Sequence, residues 1–112
     1  MMTLAELKQH SGLKNQKAYV CCKGVIYDVT KNEVYQSDGG YNGLAGKDAT
    51  LSLGKMQLEL AGKRGWREAL DMEGLQTVFE WQKWYNERYT KIGYLVEEYE
   101  LEKTYRREQA KG

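Results

Sequence analysis

The sequence predicts one α+β domain, a small mixed sheet flooring a pocket walled by short helices. Three observations carry this. Two short strand-like runs, residues 18–22 and 25–29, flank Lys23-Gly24, the composition of a tight hairpin turn. A glycine-rich turn, Tyr35-Gln36-Ser37-Asp38-Gly39-Gly40-Tyr41, sets two tyrosines six residues apart. Between residues 75 and 89, apolar side chains recur at helical spacing.

The elements follow in order. Thr3 is placed to cap a helix over residues 3–10, with Glu6 three residues on as in a capping box. Leu4 and Leu7 share its face, and Gly12 stops it. The hairpin comes next, then an irregular loop over 31–40 and one helical turn over 41–44. Asp48 is placed as the N-cap of a helix running to about Met56. Residues 57–72, with Gly62 and Gly65 around Lys63 and Arg64, predict a short helix plus loop. In the strongest helix Leu75, Val78, Phe79, Tyr85, Tyr89 and Ile92 form one stripe and Trp81, Trp84 and Arg88 its neighbour, with Gly93 as the stop. Tyr94-Leu95-Val96 reads as a short strand. Residues 1–96 then make up the domain, and 97–112 a charged, solvated helical extension with Glu102 and Arg106 spaced as an i,i+4 pair.

Composition narrows the function. A formal net charge of +1 gives no long-range field for nucleic acid. No apolar run approaches the roughly 20 residues of a membrane span. The first residues lack a basic segment followed by an apolar one, so no secretory signal is expected. A soluble, cytoplasmic protein is the expectation. Cys21 and Cys22 are neighbours on a strand and point to opposite faces, so a bridge between them would be strained; they read as small strand residues in a reducing compartment. No nucleophile–base pair and no phosphate loop stands out, which favours a binding protein over an enzyme. Nine tyrosines against one phenylalanine suit the wall of a pocket for an amphipathic ligand, since tyrosine joins an apolar body to a polar tip.

The order of hairpin, glycine turn and helix start resembles the haem/steroid-binding domain of the cytochrome b5-like superfamily, over residues 4–96. The nearest branch is the membrane-associated progesterone receptor family. In cytochrome b5 a turn histidine binds iron; the matching positions here are Ser37-Asp38-Gly39-Gly40, and the only histidine is His10, in the first helix. A two-histidine cytochrome is excluded on inventory. The progesterone-receptor pattern has instead a tyrosine pair flanking the turn, then a run matched here by Leu44-Ala45-Gly46-Lys47-Asp48-Ala49-Thr50. That resemblance implies non-covalent b-type haem (iron protoporphyrin IX), with Tyr41 giving a phenolate to a five-coordinate, high-spin ferric iron and Tyr35 hydrogen-bonding in the pocket. The late block Trp81, Tyr85, Arg88-Tyr89 and Ile92-Gly93 implies a propionate partner in Arg88, where the family has lysine, and a second donor in Tyr89.

The implied haem site is thus Tyr41 on the metal, with Tyr35, Gly39, Gly40, Leu44, Ala45, Tyr85, Arg88 and Tyr89 around the cofactor. Where the family has prolines in the turn this chain has Ser37 and Gly40, and Leu44 stands for a phenylalanine. Tyrosine is an established axial haem ligand, its pKa near ~10 being overcome when ferric iron displaces the proton. The implied role is haem carriage, sensing or support of haem-dependent monooxygenases. For the second haem face the possibilities are stacking on a second haem-bearing copy, cover by segment 57–72 with Trp66 and Leu70, or a ligand from Met56 or Lys63, each read first as core or surface. The alternative function is a haem-independent sterol, apolar-ligand or protein-interaction module on the same fold.

Overall fold

The computed structural model describes residues 1–14 and 16–111. Its elements are α1 (Leu4–Lys8), β1 (Tyr19–Cys22), β2 (Val25–Asp28), β3 (Lys47–Asp48), α2 (Thr50–Lys55), α3 (Trp66–Ala69), α4 (Met72–Arg88), β4 (Thr90–Tyr94) and α5 (Val96–Lys111). Single 3-10 turns lie at Glu33–Tyr35, Asn42–Leu44 and Leu58–Leu60.

The sheet is mixed, in the order β3-β1-β2-β4. β1 and β2 pair antiparallel, with Val20 opposite Tyr27. Their turn has positive φ at both Lys23 (49°) and Gly24 (85°), the conformation whose twist matches a hairpin. Gly24 has a second reason to lack a side chain, since a Cβ there would lie 2.4 Å from Cζ of Tyr94. β3 runs parallel to β1, and β4 antiparallel to β2 with a bulge between Ile26 and Tyr27.

Alternation along the hairpin divides the interior in two. Val20, Cys22 and Tyr27 face the larger core, with Leu51 and Leu53 of α2 and Val78 and Tyr85 of α4. Cys21 and Ile26 face the other way, onto Leu7 of α1 and Leu95. The two cysteines therefore lie on opposite faces, as strand geometry requires, and both are free and buried. Burial pushes the Cys22 thiol up to about 12 and that of Cys21 well above the usual value, so neither is a thiolate.

Several local expectations hold and others shift. Thr3 and Glu6 form the capping box of α1. Asp48 belongs to β3 rather than capping α2; Ala49 occupies the cap position. The carboxylate still works at that helix start, accepting from Thr50 N at 3.1 Å and Thr50 Oγ1 at 2.6 Å. The long helix begins earlier than its stripe, because Asp71 caps it by accepting from the N–H of Gly74. It ends at Arg88, and Thr90-Lys91-Ile92-Gly93-Tyr94 pairs with β2 as an edge strand. Gly93 is thus a strand residue, and Ile92 leaves the helical stripe.

The expected solvated extension is anchored over its first turns. Glu98 is 1% exposed and sits between two cations, with Arg64 Nη2 3.4 Å from its Oε2 and Arg67 on its Oε1. Arg64 also holds the buried Asp48 at 2.8 Å, so strand β3, the loop before α3 and helix α5 share one ion-pair web. The Tyr94 hydroxyl donates to Glu102 at 2.5 Å. Among the described residues no helix is long and apolar enough to cross a membrane.

Glu98→Ala is expected to leave Arg64 and Arg67 without their buried counter-charge. Removing one partner of a buried pair costs about 3–5 kcal/mol; because both arginines are partly solvated, about 2 kcal/mol is expected here. Urea denaturation of this variant beside Glu98→Gln checks it, and an unchanged midpoint would show the web to be energetically idle.

Candidate ligand groove

The glycine turn decides where its two tyrosines point. Asn32 starts it by accepting from Val34 N at 3.1 Å. The backbone then closes through Gly39 N to Gln36 O and Tyr41 N to Val34 O, both at 2.8 Å. Closure brings Gly39 against Val34, where a Cβ would lie 2.2 Å from the carbonyl oxygen, so only glycine fits. The Asn42 amide fastens the loop by donating to Ser11 O and Tyr35 O, each at 2.9 Å. Tyr35 consequently turns into the core at 0% exposed, while Tyr41 stays on the surface at 40%. Their rings remain neighbours at 6.1 Å.

Behind the turn lies an aromatic cluster drawn largely from one face of α4, where residues three and four apart are adjacent. Tyr35 and Tyr85 join hydroxyl to hydroxyl at 2.8 Å. Tyr85 stacks on Tyr27 at 5.2 Å, and Tyr27 donates to Asn86 Oδ1 at 2.5 Å. Trp84 touches Trp81, Tyr85 and Tyr89 with centroids 5.4–5.6 Å apart. Burial drives the Tyr35 phenol up to about 12, although its bond with Tyr85 works the other way; burial, then the neighbouring Tyr35, drives Tyr85 far above the usual phenol value. Both stay protonated in ordinary conditions and neither supplies an anion.

Tyr41 stands apart, since its hydroxyl has no partner among the described residues. It is shared by two adjoining hollows. One, of about 370 Å³, is lined by Tyr41, Glu80, Trp81 and Trp84. The other, of about 220 Å³, lies between Tyr41, Leu44, Leu53, Met56, Leu58 and Trp81. Together they form a groove of the size that takes small ligands, roughly 300–1,000 Å³. At Gly40 and Gly43 a Cβ would meet nothing within 4 Å, so the backbone beside Tyr41 is bare. Another hollow of about 420 Å³, by Lys55, Asp71 and Thr77, has no aromatic wall.

The residues expected from the sequence thus divide. Tyr41 and Leu44 line the groove, and Gly40 leaves its edge open. Gly39 closes the turn. Tyr35, Ala45 and Tyr85 sit behind, in the core. Arg88 and Tyr89 line a separate concavity of about 550 Å³ with Lys17, Asp28, Thr30, Lys31 and Thr90. The Arg88 guanidinium lies 4.6 Å over Trp84 and donates to Trp84 O at 3.4 Å, and Tyr89 accepts from the Asn32 amide at 2.6 Å. Trp66 and Leu70 are core residues and do not cover the groove, which Leu58 reaches instead. Met56 is at its rim, 76% exposed. His10 is spent on α1, stacked on Tyr19 at 4.3 Å. Sequence reasoning gave Trp81 and Trp84 no site role; their i,i+3 spacing beside Tyr85 and Arg88 was the available signal. Among the described residues no group of three or more His, Cys, Asp or Glu is placed to hold a metal ion.

Residues 3–99 match the family model described as Cytochrome b5-like Heme/Steroid binding domain, and the chain belongs to that family. It is 32% identical over 96 residues to Probable steroid-binding protein 3 of Arabidopsis thaliana, covering 84% of this chain and 96% of that one. It is 30% identical over 102 residues to Cytochrome P450 regulator dap1 of Schizosaccharomyces pombe, covering 84% of this chain and 61% of that one. Against several other curated relatives the chain spans about half their length or less. A solved structure of a hypothetical Arabidopsis thaliana protein, described as having a cytochrome b5 like fold, superposes with a TM-score of 0.74 at 31% identity, covering 85% of this chain and 89% of that one. The fold is therefore cytochrome b5-like.

Two outcomes are expected of the buried phenol pair. Tyr85→Phe leaves the Tyr35 hydroxyl buried and unpaired, at a cost of about 1–3 kcal/mol, and Tyr35→Phe in the same background recovers part of it; denaturant titration of the three variants reads this. The Tyr35 phenol, raised in the folded state, contributes stability that is whole below about pH 10 and is lost as pH climbs through about 12. An alkaline titration followed by phenolate absorbance should lose one late-titrating tyrosine in Tyr35→Phe.

Proposed function

We propose that this member of the cytochrome b5-like haem/steroid-binding family binds b-type haem non-covalently, with the Tyr41 phenolate as its protein ligand to ferric iron. The observation that carries the reading is the division among the tyrosines. Tyr35 and Tyr85 are buried on each other, whereas Tyr41 presents an unpartnered hydroxyl to an aromatic groove. The donor chemistry fits, since a phenolate is a hard anionic oxygen suited to a trivalent metal.

The chain's own residues would each do one thing. Trp81 and Trp84 offer flat apolar faces, and Leu44, Leu53 and Leu58 exclude water on the other side. Tyr35, tilted behind Tyr41, fixes its ring from the rear. Bound haem would supply a redox-active ferric centre, held at low potential by an anionic oxygen ligand. Nothing on the chain suggests bond-making chemistry, so a binding role fits better than an enzyme: haem carriage, sensing or support of haem-dependent monooxygenases. The relative named a cytochrome P450 regulator supports the last.

A second reading has its own support. The same apolar walls would take a flat polycycle without iron, and a relative is named a probable steroid-binding protein. Tyr41 would then donate a hydrogen bond to a ligand oxygen.

Tyr41→Phe is expected to keep the fold, because its hydroxyl makes no internal bond, and to weaken haemin binding at least about tenfold, with loss of the high-spin ferric spectrum. Wild-type spectrum and affinity in that variant overturn the ligation. Protein that ignores haemin yet binds progesterone favours the second reading.

A further inference from the structure

The polar concavity beyond Trp84 has a chemistry the groove lacks. Lys17, Lys31 and Arg88 line it against one carboxylate, Asp28. That carboxylate is already engaged, accepting from Thr30 N at 3.0 Å and Thr30 Oγ1 at 2.5 Å. Lys17 and Lys31 make no ion pair among the described residues, and Arg88 has only a solvated contact to Glu87 at 3.6 Å. Three cations therefore face one spent anion.

The Tyr89 hydroxyl points independently to a ligand. Asn32 Oδ1 accepts from Val34 N, which orients the amide so that its nitrogen meets Tyr89 at 2.6 Å. An amide nitrogen has no lone pair to offer, so the phenol oxygen must accept. The phenol's own proton is left with no acceptor among the described residues, on a side chain that lines the concavity. A phenol donor beside three cations is a receptor for carboxylate oxygens.

The concavity is also continuous with the groove's wall. Trp84 lines the groove, while Arg88 and Tyr89 pack on that same ring and line the concavity. We infer that Lys17 and Lys31, with Arg88 and Tyr89, form an anion-binding shelf that selects, for the aromatic groove, a flat ligand bearing carboxylates over an uncharged one. Asn32 acts as a positioning residue by setting the direction of the Tyr89 proton. The inference rests on the haem reading above and adds the charge requirement that separates a porphyrin dicarboxylate from a neutral steroid.

The test compares haemin with haemin dimethyl ester on wild type and on Lys17→Glu/Lys31→Glu, at low and high salt. Wild type is expected to prefer haemin. The charge-reversed variant is expected to bind haemin about 10- to 100-fold more weakly, to bind the ester unchanged, and to lose the salt dependence. Added propionate should compete with haemin but not with the ester if the shelf holds free carboxylate as well. Both lysines are exposed, and the neutral pair Lys17→Gln/Lys31→Gln serves if the reversal unfolds. Equal affinity of wild type for haemin and ester, or equal losses for both in the variant, overturns the shelf alone. Wild type that binds neither overturns the haem reading and the shelf with it.

Discussion

A Cβ has no room at Gly39, and the outward placement of Tyr41 follows from that. The chain can bring Tyr41 N to Val34 O only by laying residue 39 against the Val34 carbonyl. Once closed, the loop is too short to send both tyrosines the same way. Tyr35, at the end of a 3-10 turn, enters the core and finds Tyr85; Tyr41, one residue past the glycines, is left outside. An alanine at 39 would clash with backbone rather than with a movable side chain, so the loop would have to open. Gly40, by contrast, has free space where its side chain would be, and its smallness matters for what approaches the turn rather than for the turn itself.

The ion-pair web acts at the opposite side of the sheet and solves a different problem. β3 is two residues long and cannot hold its edge by pairing alone. Arg64 compensates by bridging Asp48 and Glu98, which joins that strand to α5. Burial raises the Asp48 carboxyl, while Thr50 and Arg64 pull it back. Buried charges of this kind are poor sources of net stability but strict about geometry. Asp48 also serves the start of α2, which carries Leu53 to the groove, so the web fixes the groove's floor from a distance.

What the sequence discloses follows the range of the interactions involved. The capping box of α1, the Lys23-Gly24 turn and the α4 stripe are local, and each is where its pattern puts it. β4 was misplaced because Gly93 reads as a helix stop, whereas pairing with β2, a partner some 65 residues away in the chain, makes it a strand. Glu98 is indistinguishable from its acidic neighbours in sequence; only the arrival of Arg64 and Arg67 makes it a core residue. In the groove, Tyr35 and Tyr41 look equivalent as letters, and the turn alone makes one an inward phenol and the other an exposed one. Trp81 and Trp84 were legible as a stripe but not as a wall, because which side of α4 meets the turn is a packing outcome.

The arrangement of polarity around Trp84 bears on why an extended aromatic surface is kept at a partly exposed site. An indole can be apolar toward the groove and still hold a cation on its π-face, as Arg88 does at 4.6 Å. One ring thus separates a dry side from a charged side without a buried ion on the dry side. A flat ligand apolar over most of its area and acidic at one edge satisfies both sides at once. A ligand that is apolar throughout would leave Lys17, Lys31 and Arg88 merely solvated, losing nothing but gaining nothing. Discrimination of this kind comes from the charged edge and not from apolar area, which any polycycle supplies equally. The wall formed by Trp84 and Tyr89 is therefore where affinity and selectivity divide in this domain, the groove giving the first and the cationic shelf the second.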